Sequence, residues 1–170
     1  ANVATNIGGG IGLSSVTNMK CVNNTVADNF AANGGAGIYT YNAGSATVHN
    51  NIVAFNASGI RVDGTIPSLK YNCVYGNDAL PYMGITDPTG SDGNIAVDPQ
   101  LANFSAGDLH IQPTSPCKET GDSSVVLAGW KDMDGQDRIQ GTVDIGADES
   151  NGDTWPGPLP PKIIYVHSVN

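Results

Sequence analysis

Three carboxylates in Asp132-Met133-Asp134-Gly135-Gln136-Asp137 surround one tight glycine turn. Hard cations take clustered oxygens, so Asp132, Asp134 and Asp137 form a candidate Ca²⁺ site, the one cofactor the sequence suggests. The spacing departs from an EF-hand loop: glycine directly follows the second Asp, and no Glu closes the loop. The competing reading is a turn whose Asp side chains cap backbone amides, with Arg138 pairing Asp144 or Glu149. Arg61 and Asp63 lie two apart, hence on one face of a strand. Such a pair is either a fragment of a catalytic or sugar-binding set or a solvated ion pair. His49, His110 and His167 are isolated and lack metal-ligand spacing. His49 reads as a surface or turn residue. No clustered acid–base carboxylates stand in the apolar segments, so no catalytic set is assigned and the chain reads as non-enzymatic.

Cys21, Cys73 and Cys117 show no C-x-x-C pattern. A Cys73–Cys117 disulfide is the candidate pairing, and three buried thiols fit the spacing as well. The net charge of -9, with 7 Lys+Arg against 16 Asp+Glu, lacks the basic footprint of a nucleic-acid binder. No apolar run reaches the ~20 residues of a membrane-spanning helix.

The elements that would position these residues come from a repeat. Gly10-Ile11, Gly37-Ile38 and Gly59-Ile60 each precede a related segment. Those segments end in Val26-Ala27-Asp28-Asn29, Val53-Ala54-Phe55-Asn56 and Val74-Tyr75-Gly76-Asn77. A period of roughly 20–27 residues with short alternating strands predicts a solenoid. Stacked coils repeat about every 4.8 Å, which would align Val26, Val53 and Val74 inward. Asn29, Asn56 and Asn77 would form a ladder at a bend, because Asn tolerates left-handed dihedrals and its amide both donates and accepts. The 22 Gly and the many Asn are then turn and ladder chemistry, once per coil. The predicted class is all-β: coils over 1–80, then a final coil and irregular cap over 81–149.

The downstream half carries a resemblance. Gly107-Asp108-Leu109-His110-Ile111-Gln112-Pro113-Thr114-Ser115-Pro116-Cys117 is similar to a stretch found before the end of right-handed parallel β-helices of the pectate-lyase-like superfamily. Asp132-Met133-Asp134-Gly135 through Arg138, followed by Val143-Asp144-Ile145-Gly146-Ala147-Asp148-Glu149, resembles the ending of such domains in large prokaryotic surface proteins. The resemblance implies a short right-handed parallel β-helix (solenoid) and an extracellular or cell-surface location. Polysaccharide is the partner class it adds.

A Pro/Gly-rich linker over 150–161 leads to Ile163-Ile164-Tyr165-Val166-His167, an extended tail strand within 162–170. The first coil begins without an amphipathic cap, and an exposed end coil is an open sheet edge. Ile163, Ile164, Tyr165, Val166 and His167 are therefore candidate assembly residues, adding to the open coil of a neighbouring subunit or module. Folding back on the same chain, or remaining disordered, are the alternatives. Head-to-tail repetition of the addition would give a filament or sheath. A carbohydrate-binding or polysaccharide-degrading protein, or an adhesin, is the other functional class.

Overall fold

The computed structural model describes residues 1–152 and Thr154. The tail expectation, Ile163 to His167, and the expected linker from 155 onward therefore lie outside the described residues. The chain is an all-β solenoid of about three turns. An entry strand β1 (Val3–Ala4) precedes the first coil, which runs β2 (Ile11–Ser14), β3 (Lys20–Val22), β4 (Thr25–Ala27) and β5 (Phe30–Ala31). The second coil holds β6 (Ile38–Tyr41), β7 (Thr47–His49) and β8 (Ile52–Ala54). The third holds β9 (Ile60–Asp63), β10 (Ser68–Lys70) and β11 (Cys73–Tyr75), and β12 (Tyr82–Met83) opens a partial fourth. An antiparallel pair follows, β13 (Leu101–Asn103) and β14 (Asp108–Ile111).

All pairing between coils is parallel. Three sheets run up the solenoid, in the orders β12-β9-β6-β2, β10-β7-β3 and β11-β8-β4. Register follows the sequence repeat: Ile11 pairs Ile38 and Ile38 pairs Ile60. Val26 pairs Val53 and Val53 pairs Val74, all three buried, so the expected apolar stack is in place.

The Gly-Ile anchors have a packing cause. A Cβ on Gly37 would lie 2.3 Å from Val53 Cγ1, and one on Gly59 would lie 2.1 Å from the Pro81 carbonyl oxygen. A Cβ on Gly10 would meet both Gly37 O and Val26 Cγ1 at 2.5 Å. Each glycine thus lets its backbone approach the Val column and the neighbouring coil, and the following Ile points into the core.

The bends differ from expectation in one respect. The left-handed residue is not the ladder Asn but the one before it: Asp28 (φ 58), Phe55 (φ 56) and Gly76 (φ 60). A second column, Asn23 (φ 55), Asn50 (φ 55) and Tyr71 (φ 52), precedes Asn24, Asn51 and Asn72. The left-handed residue makes the corner, which leaves the following Asn free to turn its side chain inward and bond.

The C-terminal region is not simply an end cap. Ile111, Cys117 and Ile145 pack with Ile52, Ala54 and Cys73, the outward-facing residues of β8 and β11. Every residue of β8 is buried in consequence, on both faces of its sheet. Backbone bonds secure this flank: Gly146 N–H donates to Asn50 O at 2.9 Å and Ile145 N–H to Cys117 O at 2.9 Å. Ala147 N–H also donates to Thr25 Oγ1 at 3.0 Å.

Candidate functional site: the asparagine ladders and the acidic flank

Two ladders of amides run along the solenoid. In the first, Asn29 Nδ2 donates to Asn56 Oδ1 at 3.0 Å, and Asn56 Nδ2 donates to Asn77 Oδ1 at 3.1 Å. Asn2 Nδ2 extends it by donating to Asn29 Oδ1 at 3.1 Å. The second, unanticipated ladder links Asn24 to Asn51 (2.9 Å), Asn51 to Asn72 (3.0 Å) and Asn72 to Asn94 (3.2 Å). Its signal was present in the aligned repeat, where Asn24, Asn51 and Asn72 stand two residues before Val26, Val53 and Val74.

Each interior carbonyl oxygen also accepts a backbone N–H from the preceding coil, as Asn51 Oδ1 does from Asn24 N at 3.1 Å. Each interior amide donates in addition to a backbone carbonyl, as Asn56 Nδ2 does to Val26 O at 2.9 Å. Asn51, Asn56 and Asn72 are fully buried with these needs met, the condition under which buried amides stabilise a fold.

Both ladders have one polarity, with amide N–H groups pointing toward later coils. Their upstream ends therefore present the oxygens of Asn2 and Asn24. Among the described residues, β2, β3 and β4 each have a strand neighbour on one side only. Beside the β4 edge lies a pit lined in part by Asn2, Ile11, Asn24, Val26 and Asn29.

The acidic flank is the other concentration of chemistry. Asp132, Asp134 and Asp137 do not converge, which corrects the Ca²⁺ expectation. Asp132 Oδ1 accepts the N–H of Asp134 (2.9 Å) and of Gln136 (2.7 Å), and its Oδ2 accepts that of Glu149 at 3.2 Å. Asp137 instead takes Lys131 Nζ at 2.6 Å. Asp134 turns toward His110, with Nε2 to Oδ2 at 3.0 Å. The turn-capping alternative describes Asp132.

Arg138 is buried, yet it pairs neither Asp144 nor Glu149 directly. Its Nη1 donates to Ala147 O at 2.9 Å and its Nη2 to Gly146 O at 2.5 Å, so it tethers the 143–149 segment through backbone. Asp144 accepts N–H bonds from Glu119 and Ser150, both at 2.6 Å. Burial raises the carboxyls of Asp144 and Asp148 above their ordinary range, and it pushes Glu149 up to about 7.

His110 and Asp148 belong to a group that sequence reasoning missed. One ligand atom from each of His110, Asp134 and Asp148 lies within 4.8 Å of the others. His110 Nδ1 also meets Asp108 Oδ1 at 2.5 Å. Burial opposes a charge on His110, but Asp108 and Asp134 outweigh it and raise its pKa. The contributors come from segments far apart in sequence, so no short motif announced them.

His49 is buried, not on the surface. Its Nε2 meets Ser68 Oγ at 2.7 Å and its Nδ1 meets Asp122 at 3.3 Å, which joins the solenoid to the flank. Burial lowers its pKa, only partly opposed by Asp122. Arg61 and Asp63 share the outer face of β9 as expected. Arg61 Nε lies 3.1 Å from both Asp63 oxygens, which makes a half-exposed ion pair.

The three cysteines are free and buried. The candidate Cys73–Cys117 disulfide is corrected to a contact between two thiols. Both sit in the apolar cluster under the flank, and Cys73 Sγ lies 3.1 Å from Val97 O. Contact with Cys73, then burial, pushes the Cys117 thiol far up, and burial pushes Cys21 up to about 11.

No family model, curated protein or solved structure matches this chain. Its function must be read from its own geometry.

Proposed function

We propose that this chain is an extracellular structural module that stacks end to end with copies of itself. Its solenoid would be the right-handed parallel β-helix of the pectate-lyase-like superfamily, a reading that the resemblance of 132–149 to the ending of surface-protein domains supports. The single-sided pairing of β2, β3 and β4 among the described residues supports the functional reading. Three short parallel edges and two ladder ends lie together at one end of the solenoid. A docked coil would gain backbone bonds on three sides and would donate an amide to Asn24. Strands of three or four residues offer little edge each, so affinity requires all three sheets to be continued in register.

The 163–167 segment, Ile163 to His167, is proposed to begin that docking as an added strand. Light scattering of the full chain against a chain lacking 162–170 tests this. The reading expects loss of the large species, and unchanged assembly removes the tail from the mechanism.

Polysaccharide binding is a second reading, favoured by Tyr39, Tyr41, Arg61 and Asp63 on the outer face of β6 and β9. Tyr39 pairs with Arg61 and Tyr41 with Asp63 across the sheet, so the four form a compact patch. Aromatic rings suit sugar faces, although the Arg61 guanidinium is already engaged by Asp63. A glycan array with no bound member would eliminate this reading.

A further inference from the structure

We propose that His110, Asp134 and Asp148 form a binding site for a divalent cation of the zinc or manganese class, with Asp108 as positioning residue. One imidazole nitrogen and two carboxylate oxygens come from β14, from the 132–137 turn and from the 143–149 segment. Their ligand atoms lie within 4.8 Å of one another. Ligands bonded to one ion at about 2.1 Å stand roughly 3.0–3.4 Å apart. His110 Nε2 and Asp134 Oδ2 already have that spacing, at 3.0 Å.

The surroundings match what a metal-ligating imidazole needs. Asp108 Oδ1 accepts from His110 Nδ1 at 2.5 Å. A carboxylate on the far nitrogen fixes the tautomer and the ring plane, so a cation would bind Nε2 by displacing the proton that Nε2 shares with Asp134. Asp148 is 1% exposed, and its Oδ2 is held at 2.9 Å by Ile111 N–H, so the floor of the site is rigid. Asp134 lies at the solvent side and provides the way in. Asp132 is spent on three backbone amides and is not a ligand.

The donor set selects the ion. A nitrogen ligand with only two carboxylates suits zinc, manganese or cobalt better than Ca²⁺, which prefers six to eight oxygens. Three carboxylates, Asp108, Asp134 and Asp148, gather around a single imidazole, and a bound cation would offset their mutual repulsion. It would also cross-link three segments of the flank that covers β8.

The test uses the untagged full chain, stripped with a chelator and titrated separately with Zn²⁺, Co²⁺ and Ca²⁺. The proposal expects one Zn²⁺ per chain, a visible Co²⁺ absorption band that Zn²⁺ abolishes, and no competition by equal Ca²⁺. Asp134→Asn and His110→Gln should each weaken Zn²⁺ binding at least tenfold, and Asp108→Asn by roughly 10–100-fold. Asp134 is exposed, so Asp134→Asn keeps the test valid should His110→Gln unfold. Absence of saturable Zn²⁺ and Co²⁺ binding by the folded chain overturns the proposal, leaving an imidazolium held between carboxylates. Undiminished binding in the folded Asp134→Asn variant also overturns it, leaving an adventitious ion only.

Discussion

Asn51→Ala removes the centre of the second ladder. The Asn51 side chain is fully buried and accepts from Asn24 N at 3.1 Å and from Asn24 Nδ2 at 2.9 Å. It donates to Cys21 O at 2.9 Å and to Asn72 Oδ1 at 3.0 Å. Two of these groups keep another partner. Asn24 Nδ2 still donates to Val22 O at 3.1 Å, and Asn72 Oδ1 still accepts from Asn51 N at 3.1 Å. The Asn24 backbone N–H loses the acceptor that holds it, and the Cys21 carbonyl loses a donor. Three bonds at about 1 kcal/mol each, with about 1–3 kcal/mol for the orphaned Asn24 N–H, give a loss of roughly 4–6 kcal/mol. That is a large part of the roughly 5–15 kcal/mol of a folded domain. Equilibrium urea unfolding followed by circular dichroism measures it, with an unchanged slope as the check that compactness is preserved. Asn33→Ala is the control. Its exposed amide donates to Asn6 Oδ1 at 2.8 Å and should cost about 0.5 kcal/mol or less. A loss below about 1 kcal/mol for Asn51→Ala, or one equal to the control, would refute the idea that the ladders stabilise the coils.

Gly37→Ala should destabilise by about 1–3 kcal/mol, because the new methyl would lie 2.3 Å from Val53 Cγ1. Gly12→Ala, with no heavy atom within 4 Å, should be neutral or slightly stabilising in the same melts. The Glu149 carboxyl rises from an ordinary value of 4.5 to about 7, so the folded chain holds a proton that the unfolded chain has lost between those limits. Its contribution to stability therefore falls as pH rises from 4.5 to about 7 and is flat above. Glu149→Gln should reduce that decline in melts taken across the window. A thiol reagent should find Cys21, Cys73 and Cys117 unreactive in the native chain and all three reactive in urea. A single reactive thiol in urea would restore the Cys73–Cys117 disulfide.

The solenoid was legible in the sequence because its physics repeats. A glycine is needed wherever a Cβ would strike the Val column, so Gly10, Gly37 and Gly59 mark every coil. Val26, Val53 and Val74 then fix the register. The flank was not legible. β8 is apolar at every position, but three residues are too few to announce burial on both faces, and nothing in Ile111, Cys117 or Ile145 names the face of the partner they cover. The same gap hid His49, whose burial depends on Asp122, and His110, whose neighbours Asp134 and Asp148 reach it only through tertiary packing. The Ca²⁺ expectation failed for a related reason. Spacing gathered Asp132, Asp134 and Asp137 in sequence, while backbone amides, His110 and Lys131 drew them apart in space.

The central proposal is that the edge at β2, β3 and β4 accepts another copy of the chain in register. Electron micrographs of the untagged full chain, paired with X-ray diffraction from aligned material, test it directly. The account predicts filaments with a reflection near 4.8 Å along the filament axis, the spacing of strands stacked coil upon coil. Monodisperse single-chain particles at every concentration, with no axial reflection, would contradict it.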